Sequence, residues 1–405
     1  SGGCTHYLNG HTIRGGSIVK VGTVIPQNVY LKNGSTLTGI LLSVDDALSK
    51  AVSNETIETY INYTNSNHVN LPQNVNFLAK SGITINLNGF HLKTNGGYII
   101  DEGATWLPNN IKIMYGSTIR GYYSTLQDAL NNFQSGETMV ISTGSYTLSQ
   151  NLSIPSGSGL TLNSGVAISC SAGLTINGTL TTNGATLTFG SGSGLTVNGT
   201  LNATNTTFTG SGWTGINLNG ANYPSLQNCT VSNASYGVNT YNCYSQIRYS
   251  RIIGAERGAN YTTYGQGDIG PSCVFDWNNW DVRGDNTSVP SPGGSIAGYI
   301  SFRNPGYYQV YSEYGGAIQA AGNYWMNGPL ITGNVNASNP LQTDPNPRIN
   351  ETEGIIAHPE FKKSSTPVSS ITDNGIKELD EARLLMDTKN YESAMNKFKT
   401  VADKY

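Results

Sequence analysis

The first 122 residues consist of two copies of one unit about eighty residues long. Leu8-Asn9-Gly10 recurs as Leu87-Asn88-Gly89, and Gly34-Ser35-Thr36-Leu37-Thr38-Gly39 recurs as Gly116-Ser117-Thr118-Ile119-Arg120-Gly121, at spacings of 79 and 82 residues. A repeated unit of this size buries its apolar face against the neighbouring unit and does not fold alone. The repeat therefore predicts stacked units. Because the first copy begins within a repeat, we expect material outside it to cover its exposed end.

A shorter period of 21 or 22 residues runs through the middle of the chain. Gly173–Leu180 returns as Gly194–Leu201, and glycines at 215, 237 and 258 continue the series. Each period holds runs of alternating apolar and small polar residues broken by Gly, Asn or Ser, which is typical of strands and turns. Such short strands pair in parallel with their equivalents one coil along, and right-handed crossovers are strongly preferred. The pattern predicts an all-β fold, a right-handed parallel β-helix.

The alternation also predicts which side chains point inward and stack at one-coil intervals. They are Leu174, Ile176, Leu180, Leu187, Leu195, Val197, Leu201 and Phe208.

Two further phrases carry a resemblance to a known group of proteins. Residues 228–233 (Asn-Cys-Thr-Val-Ser-Asn) precede Tyr236-Gly237-Val238, and residues 322–325 (Gly-Asn-Tyr-Trp) precede residues 341–345 (Leu-Gln-Thr-Asp-Pro). With them, residues 1–350 resemble secreted right-handed β-helix proteins of the pectate-lyase-like and periplasmic copper-accessory-like type. The resemblance implies the fold and secretion, but no particular activity, because β-helices serve as lyases, hydrolases, adhesins and fibre proteins.

Two short helices are predicted within the early coils, at Ser43–Leu48 and Ser124–Leu130. Each begins with a serine suited to N-capping and carries an acid in its first turn, where the helix dipole favours negative charge. Asp45 and Asp46 are neighbours that point apart on a helix, so a capping role is favoured over a catalytic pair.

The regular period fades between residues 261 and 314, which predicts a loop excursion from the solenoid. Trp277 and Trp280 lie there beside Asp276 and Asp281. Rings pack on the apolar faces of sugars and acids bind hydroxyl groups, so these four are candidate carbohydrate-binding residues. An aromatic cluster packed against the flank of the solenoid is the favoured alternative, and catalysis is a third possibility.

Composition and spacing bear on chemistry and partners. Charged residues make up 12% of the chain and the net charge is −3, which disfavours nucleic acid and anionic membranes as partners. A β-helix lyase or hydrolase needs carboxylates on neighbouring coils, yet no Asp or Glu occurs from residue 150 to 255. Arg248, Arg251, Arg257 and Asp268 leave a residual case for an enzyme. The five histidines are isolated and the five cysteines scattered, with Cys229 and Cys243 the nearby disulfide candidate and burial the favoured alternative. We expect no catalytic residue, metal site, cofactor or transmembrane segment.

The end of the chain differs in character. Residues 351–375 read as a linker, and residues 376–405 have helical periodicity. Ala382, Leu385, Tyr391, Ala394 and Phe398 match the intervals of one tetratricopeptide repeat, and this hairpin gives a resemblance to cargo of the type IX secretion system. The predicted organisation is residues 1–122 and 123–350 as two parts of the β-helix, the linker, and the hairpin.

These features favour an extracellular or cell-surface structural protein, a subunit of a fibre assembled head-to-tail from copies of itself. An open β-helix end exposes unpaired N–H and C=O groups, which another copy would cover. The candidate assembly residues are Cys4, Thr5, His6, Tyr7 and Leu8 at one end and Asn323, Tyr324 and Trp325 at the other. The alternatives are an adhesin that binds glycans and a polysaccharide lyase or glycoside hydrolase.

Overall fold

A computed structural model describes residues 5–7, 12–15, 18, 23–25, 28–285, 288–292, 300–303, 308–313, 318–326, 328–345 and 399. The chain divides into two compact units, Ser1–Asn350 and Glu351–Tyr405. The first unit is an all-β parallel β-helix of about 12 turns, which confirms the predicted fold class. The predicted linker and tetratricopeptide-like hairpin lie outside the described residues, apart from Lys399 in a helical conformation.

Three parallel sheets, named here A, B and C, form the main body, and successive coils contribute equivalent strands to each. Sheet A holds Thr138–Ile141, Gly159–Leu162, Thr179–Asn183, Thr200–Thr204, Ser225–Gln227, Tyr244–Arg248, Gln266–Ile269 and Val289–Pro292. Sheet B holds Gly144–Leu148, Val166–Cys170, Thr186–Phe189, Thr207–Gly210, Thr230–Ser232, Arg251–Ile253, Val274–Asp276, Ser301–Phe302 and Tyr324–Trp325. Sheet C holds Leu152–Ile154, Leu174–Ile176, Leu195–Val197, Trp213–Asn219, Ala234–Tyr241, Arg257–Thr262, Trp280–Gly284, Val310–Ser312 and Ile331–Thr332. Ile318–Gln319 and Val335–Asn336 form a further parallel pair.

The core of the main body is stacked as predicted. Leu174 pairs with Leu195 in sheet C, and Leu187 pairs with Phe208 in sheet B. All eight side chains predicted to point inward are at most 1% exposed. Parallel pairing explains this result, because residues one coil apart occupy the same side of the sheet.

The N-terminal part is less regular. Its strands are Thr5–Tyr7, Ile13–Arg14, Thr23–Ile25, Val29–Asn33, Thr36–Leu41, Glu55–Thr59, Tyr63–Thr64, Val69–Gln73, Asn76–Ala79, Thr84–Asn86, His91–Asn95, Ile99–Asp101, Thr105–Leu107, Ile111–Tyr115 and Thr118–Tyr123. Each copy of the repeat forms an antiparallel hairpin, which the prediction of parallel pairing throughout did not include. The hairpins turn at Gly34 and Gly116, whose φ values of 60° and 58° suit glycine.

A seven-residue helix follows each hairpin, as predicted from the repeat. Val44–Lys50 is capped by Ser43, whose hydroxyl accepts from the backbone N–H of Asp46. The second helix, Leu126–Asn132, is capped by Thr125 rather than by Ser124. The hydroxyl of Ser124 instead donates to the carbonyl of Phe90. Neither helix is long and apolar enough to cross a membrane, and no other described helix is.

Residues 261–314 continue the solenoid, and the predicted loop excursion is not what the structure shows. Val274 and Phe275 pair with Ser301 and Phe302, and Val282 pairs with Val310. These partners are 27 and 28 residues apart, because longer turns separate the strands of this coil. The sequence period disappears while the register of the strands is kept.

The described cysteines are free. Cys170, Cys229 and Cys273 are buried and Cys243 is half-buried, so the favoured reading as buried side chains holds for three of them. The alternative disulfide between Cys229 and Cys243 is not formed.

Replacing a stacked core residue should destabilise the first unit far more than replacing its outward neighbour. We expect Leu187→Ala to lower the free energy of unfolding by about 2–5 kcal/mol, because a buried leucine leaves a cavity. Thr188→Ala, on the exposed face of the same strand, should change it by about 0.5 kcal/mol or less. Urea unfolding followed by circular dichroism measures both, and equal losses would contradict the stacking.

Candidate functional site

An amide ladder runs along the outer face of sheet C. Asn217, Asn239 and Asn260 occupy equivalent positions of three successive coils. Asn239 donates to Oδ1 of Asn217 at 3.3 Å, and Asn260 donates to Oδ1 of Asn239 at 2.6 Å. Arg283, one coil further, donates to Oδ1 of Asn260 at 3.0 Å and forms an ion pair with Glu313. The ladder thus satisfies its own donors and acceptors.

A row of rings lies beside the ladder. Tyr236, Arg257 and Trp280 are in register on three successive coils. The guanidinium carbon of Arg257 lies 5.2 Å from the ring centroid of Tyr236 and 4.8 Å from that of Trp280. On the following coil, Tyr311 stacks on Trp280 with centroids 5.9 Å apart and planes 15° apart. Neighbouring coils therefore cover both faces of the Trp280 ring.

The four candidate sugar-binding residues do not share one surface. Asp276 and Asp281 are 1% and 0% exposed, and Nδ2 of Asn278 donates to Oδ1 of Asp281 at 3.0 Å. Burial raises the pKa of Asp281 well above its usual range. Trp277 and Trp280 are half-buried. A glycan on the outer surface would thus reach the two rings but not the two carboxyl groups.

The candidate assembly residues are placed unevenly. Thr5–Tyr7 is a strand that pairs in parallel with Thr23–Ile25, while Cys4 and Leu8 lie outside the described residues. At the other end, Asn323 is fully buried, and its side chain accepts from Ile300 N–H and donates to the carbonyl of Ala320. Trp325 is 5% exposed. Only Tyr324 of these three presents a substantial part of its side chain to solvent.

The four residues behind the residual case for an enzyme do not converge. Arg248 and Asp268 lie on sheet A with side-chain atoms 4.0 Å apart. Arg251 belongs to sheet B and Arg257 to sheet C. Their separation over three sheets gives no shared pocket for a substrate.

Two histidines and an aspartate meet where the second helix packs against the early coils. Nδ1 of His68 lies 3.0 Å from Nδ1 of His91, which lies 2.7 Å from Oδ2 of Asp128. Nδ1 of His68 is 3.5 Å from the same oxygen. We call these three residues the His–His–Asp cluster. All its ligand atoms lie within 4.8 Å of one another, a spacing that suits a metal ion.

The expectation that the histidines are isolated is wrong for this pair. Val69 pairs with Leu92, so His68 and His91 precede equivalent positions on adjacent coils. Their spacing of 23 residues is close to one coil, and this was the available signal. Asp128 comes from a helix 37 residues further on, and no periodicity points to it. Burial lowers the pKa of His91 below its usual value, although the hydrogen bond with Asp128 opposes the shift.

No family model matches the chain, and no match was found among curated proteins or solved structures. Its function must therefore be inferred from the contacts that its own residues make.

Asp281 should make stability depend on pH. A folded-state pKa above the unfolded value of about 3.9 means that the folded protein binds this proton more tightly. Its stability contribution is then present at low pH and is lost as pH rises from about 4 through the folded pKa. Asp281→Asn has no proton to lose and keeps an oxygen that accepts from Asn278. We expect the variant to gain stability relative to the parent as pH rises from 4 to 9, measured by urea unfolding; parallel curves would contradict the assignment.

Proposed function

We propose that this chain is a structural solenoid displayed at the cell surface, where it acts as a spacer or fibre subunit. The observation that carries the proposal is that side chains at equivalent positions of successive coils bind one another, both inside and outside the β-helix. Such coil-to-coil contacts add up along a solenoid, since each coil contacts mainly its immediate neighbours. They stabilise length rather than a concave site.

Ring stacks provide this continuity in the interior. Phe189 and Trp213 have centroids 4.8 Å apart and planes 6° apart. Phe302 stacks on Phe275 at 5.5 Å and on Trp325 at 4.5 Å, so three coils share one column of rings. Aromatic pairs contribute about 0.5–1.5 kcal/mol each beyond the area they bury.

The outer face of sheet C supports the same function. Its groups are of the kind that bind sugars, but the rings of Arg257's neighbours and the ladder amides already contact equivalent groups on adjacent coils. A sugar would have to compete with these contacts for both faces of Trp280. This favours the alternative of aromatic packing against the flank over the sugar-binding interpretation of this residue.

Head-to-tail assembly is the form of the proposal that involves other copies of the chain. Among the described residues, the strand Thr5–Tyr7 pairs only with Thr23–Ile25 and has no strand partner on its other edge. A second parallel strand could extend this two-stranded sheet, as in strand addition between proteins. The donor would come from the region of Tyr324 in another copy.

Removing this strand should separate assembly from folding. We expect fibres of the full chain in electron micrographs, and none from a chain lacking residues 1–8. Residues beyond 8 are kept because Arg14 forms a bidentate pair with the buried carboxylate of Glu55, at 2.7 and 2.8 Å. Unchanged circular dichroism and urea unfolding would show that the middle coils remain folded. Fibres of normal length from the shortened chain, or no fibres from the full chain, would contradict head-to-tail assembly.

Glycan binding remains a second candidate because of one further feature of sheet C. A shallow open depression of about 470 Å³ lies over the N-terminal end of the amide ladder. It is lined by Thr196, Asn217, Leu218, Asn219, Asn239 and Tyr241. Tyr241 is 43% exposed, so this ring, unlike that of Trp280, is open to a ligand.

A glycan array tests the second candidate directly. If the depression binds glycans, Tyr241→Ala should abolish a signal that the parent chain gives, because the exposed ring is the apolar platform. Tyr264→Phe, at an exposed ring outside the depression, is the control and should bind as the parent does. No signal from the parent supports the purely structural role.

A further inference from the structure

We propose that His68, His91 and Asp128 bind a divalent first-row transition metal such as Zn²⁺. Imidazole nitrogens with one carboxylate oxygen are ligands that suit such ions and not Ca²⁺ or Mg²⁺, which prefer oxygen alone. Two histidines and one carboxylate also form a known kind of three-ligand zinc site that leaves a fourth position for water.

The distances fit a shared cation. Zinc lies about 2.0–2.1 Å from each nitrogen or oxygen ligand, which places tetrahedral donors about 3.3 Å apart. The three separations in the His–His–Asp cluster are 2.7, 3.0 and 3.5 Å. Shifts of a few tenths of an ångström would make all of them suitable for one ion.

The hydrogen bonds around the cluster direct lone pairs toward its centre. Nε2 of His91 lies 3.3 Å from Oδ1 of Asn70, and when this nitrogen donates to that oxygen, Nδ1 carries a lone pair. The backbone N–H of His91 points at Nδ1 of His68, at 3.4 Å, so this nitrogen also acts as an acceptor. Two lone pairs then face the oxygen of Asp128, and a cation between them would remove the repulsion.

Neighbouring groups hold the ligands in place and leave access from solvent. Nδ2 of Asn132 donates to Oδ1 of Asp128 at 3.1 Å, which leaves Oδ2 to face the histidines. Tyr123 packs against the ring of His91 with centroids 5.5 Å apart. The side chains of His91 and Asp128 are 7% and 18% exposed, whereas that of His68 is 49% exposed. An ion could therefore enter past His68, and water could complete its coordination.

The first copy of the repeat provides an internal comparison. Gly39 and Gly121 are equivalent hairpin positions, and their strand pairings make Thr12 the equivalent of His91. On the two helices, Asp46 corresponds to Asp128 and Lys50 to Asn132.

In that copy a lysine supplies the cation. Nζ of Lys50 lies 2.6 Å from Oδ1 of Asp46 and 2.9 Å from the hydroxyl of Thr12. It therefore joins the helix carboxylate to the strand residue. In the second copy the lysine is replaced by the neutral Asn132 and the threonine by His91. The carboxylate is kept, and two imidazoles stand where an ammonium group is bound in the first copy.

Metal titration of the full, tag-free chain tests the site. We expect one Zn²⁺ to bind per cluster in calorimetry after treatment with a chelator, and Co²⁺ to give the visible absorption of a nitrogen- and oxygen-ligated ion. His68→Ala removes a half-exposed ligand with little effect on folding and should abolish both signals. Zn²⁺ should also raise the melting temperature of the parent, because only the folded state brings the three ligands together.

Two further variants separate the site from binding elsewhere. Asn132→Lys introduces the lysine of the first copy, where Lys50 is accommodated beside Arg14, and removes no metal ligand. We expect it to lower the affinity for Zn²⁺ at least about 10–100-fold, the range for residues that orient metal ligands. Asp46→Asn alters the equivalent carboxylate of the first copy and should leave affinity unchanged. Failure of the parent to bind, undiminished binding by His68→Ala, or equal losses in Asp46→Asn and Asn132→Lys would overturn the proposal.

Discussion

Parallel pairing between successive coils is the constraint on which the rest of the first unit depends. It sets each residue beside its equivalent one coil along, about 4.8 Å away. Wherever the sequence repeats, a side chain meets another of the same kind, so Leu174 meets Leu195 in the core and Asn217 meets Asn239 on the surface. The buried columns and the outer ladders therefore arise from one backbone geometry.

That geometry also selects which residues are tolerated. An amide carries a donor and an acceptor and rings stack, whereas two carboxylates in register would repel each other. This accounts for a chain with only 12% charged residues and for the absence of Asp and Glu from residue 150 to 255. Where charge enters sheet C it is paired, as Arg283 is with Glu313, or buried with a raised pKa, as Asp281 is.

The two copies of the N-terminal repeat show how one backbone arrangement can carry different chemistry. Each places a helix carboxylate near a strand residue, and each must balance the negative charge of that carboxylate. The first copy does so with Lys50, which contacts Asp46 and Thr12. The second brings Asp128 to His91 instead. A solenoid built mainly for length can in this way acquire a local binding site without a change of fold.

The sequence by itself determined the fold class, the inward-facing residues and the two helices, because coil period, strand alternation and N-caps are local patterns. Only the tertiary structure showed that the coils continue through residues 261–314, since longer turns obscure the period there. The same holds for the burial of Asp276 and Asp281, which adjoin half-buried tryptophans in sequence but point into the core. The meeting of His91 with Asp128 was also beyond the sequence, because helix packing and not any periodic spacing brings residues 37 positions apart into contact.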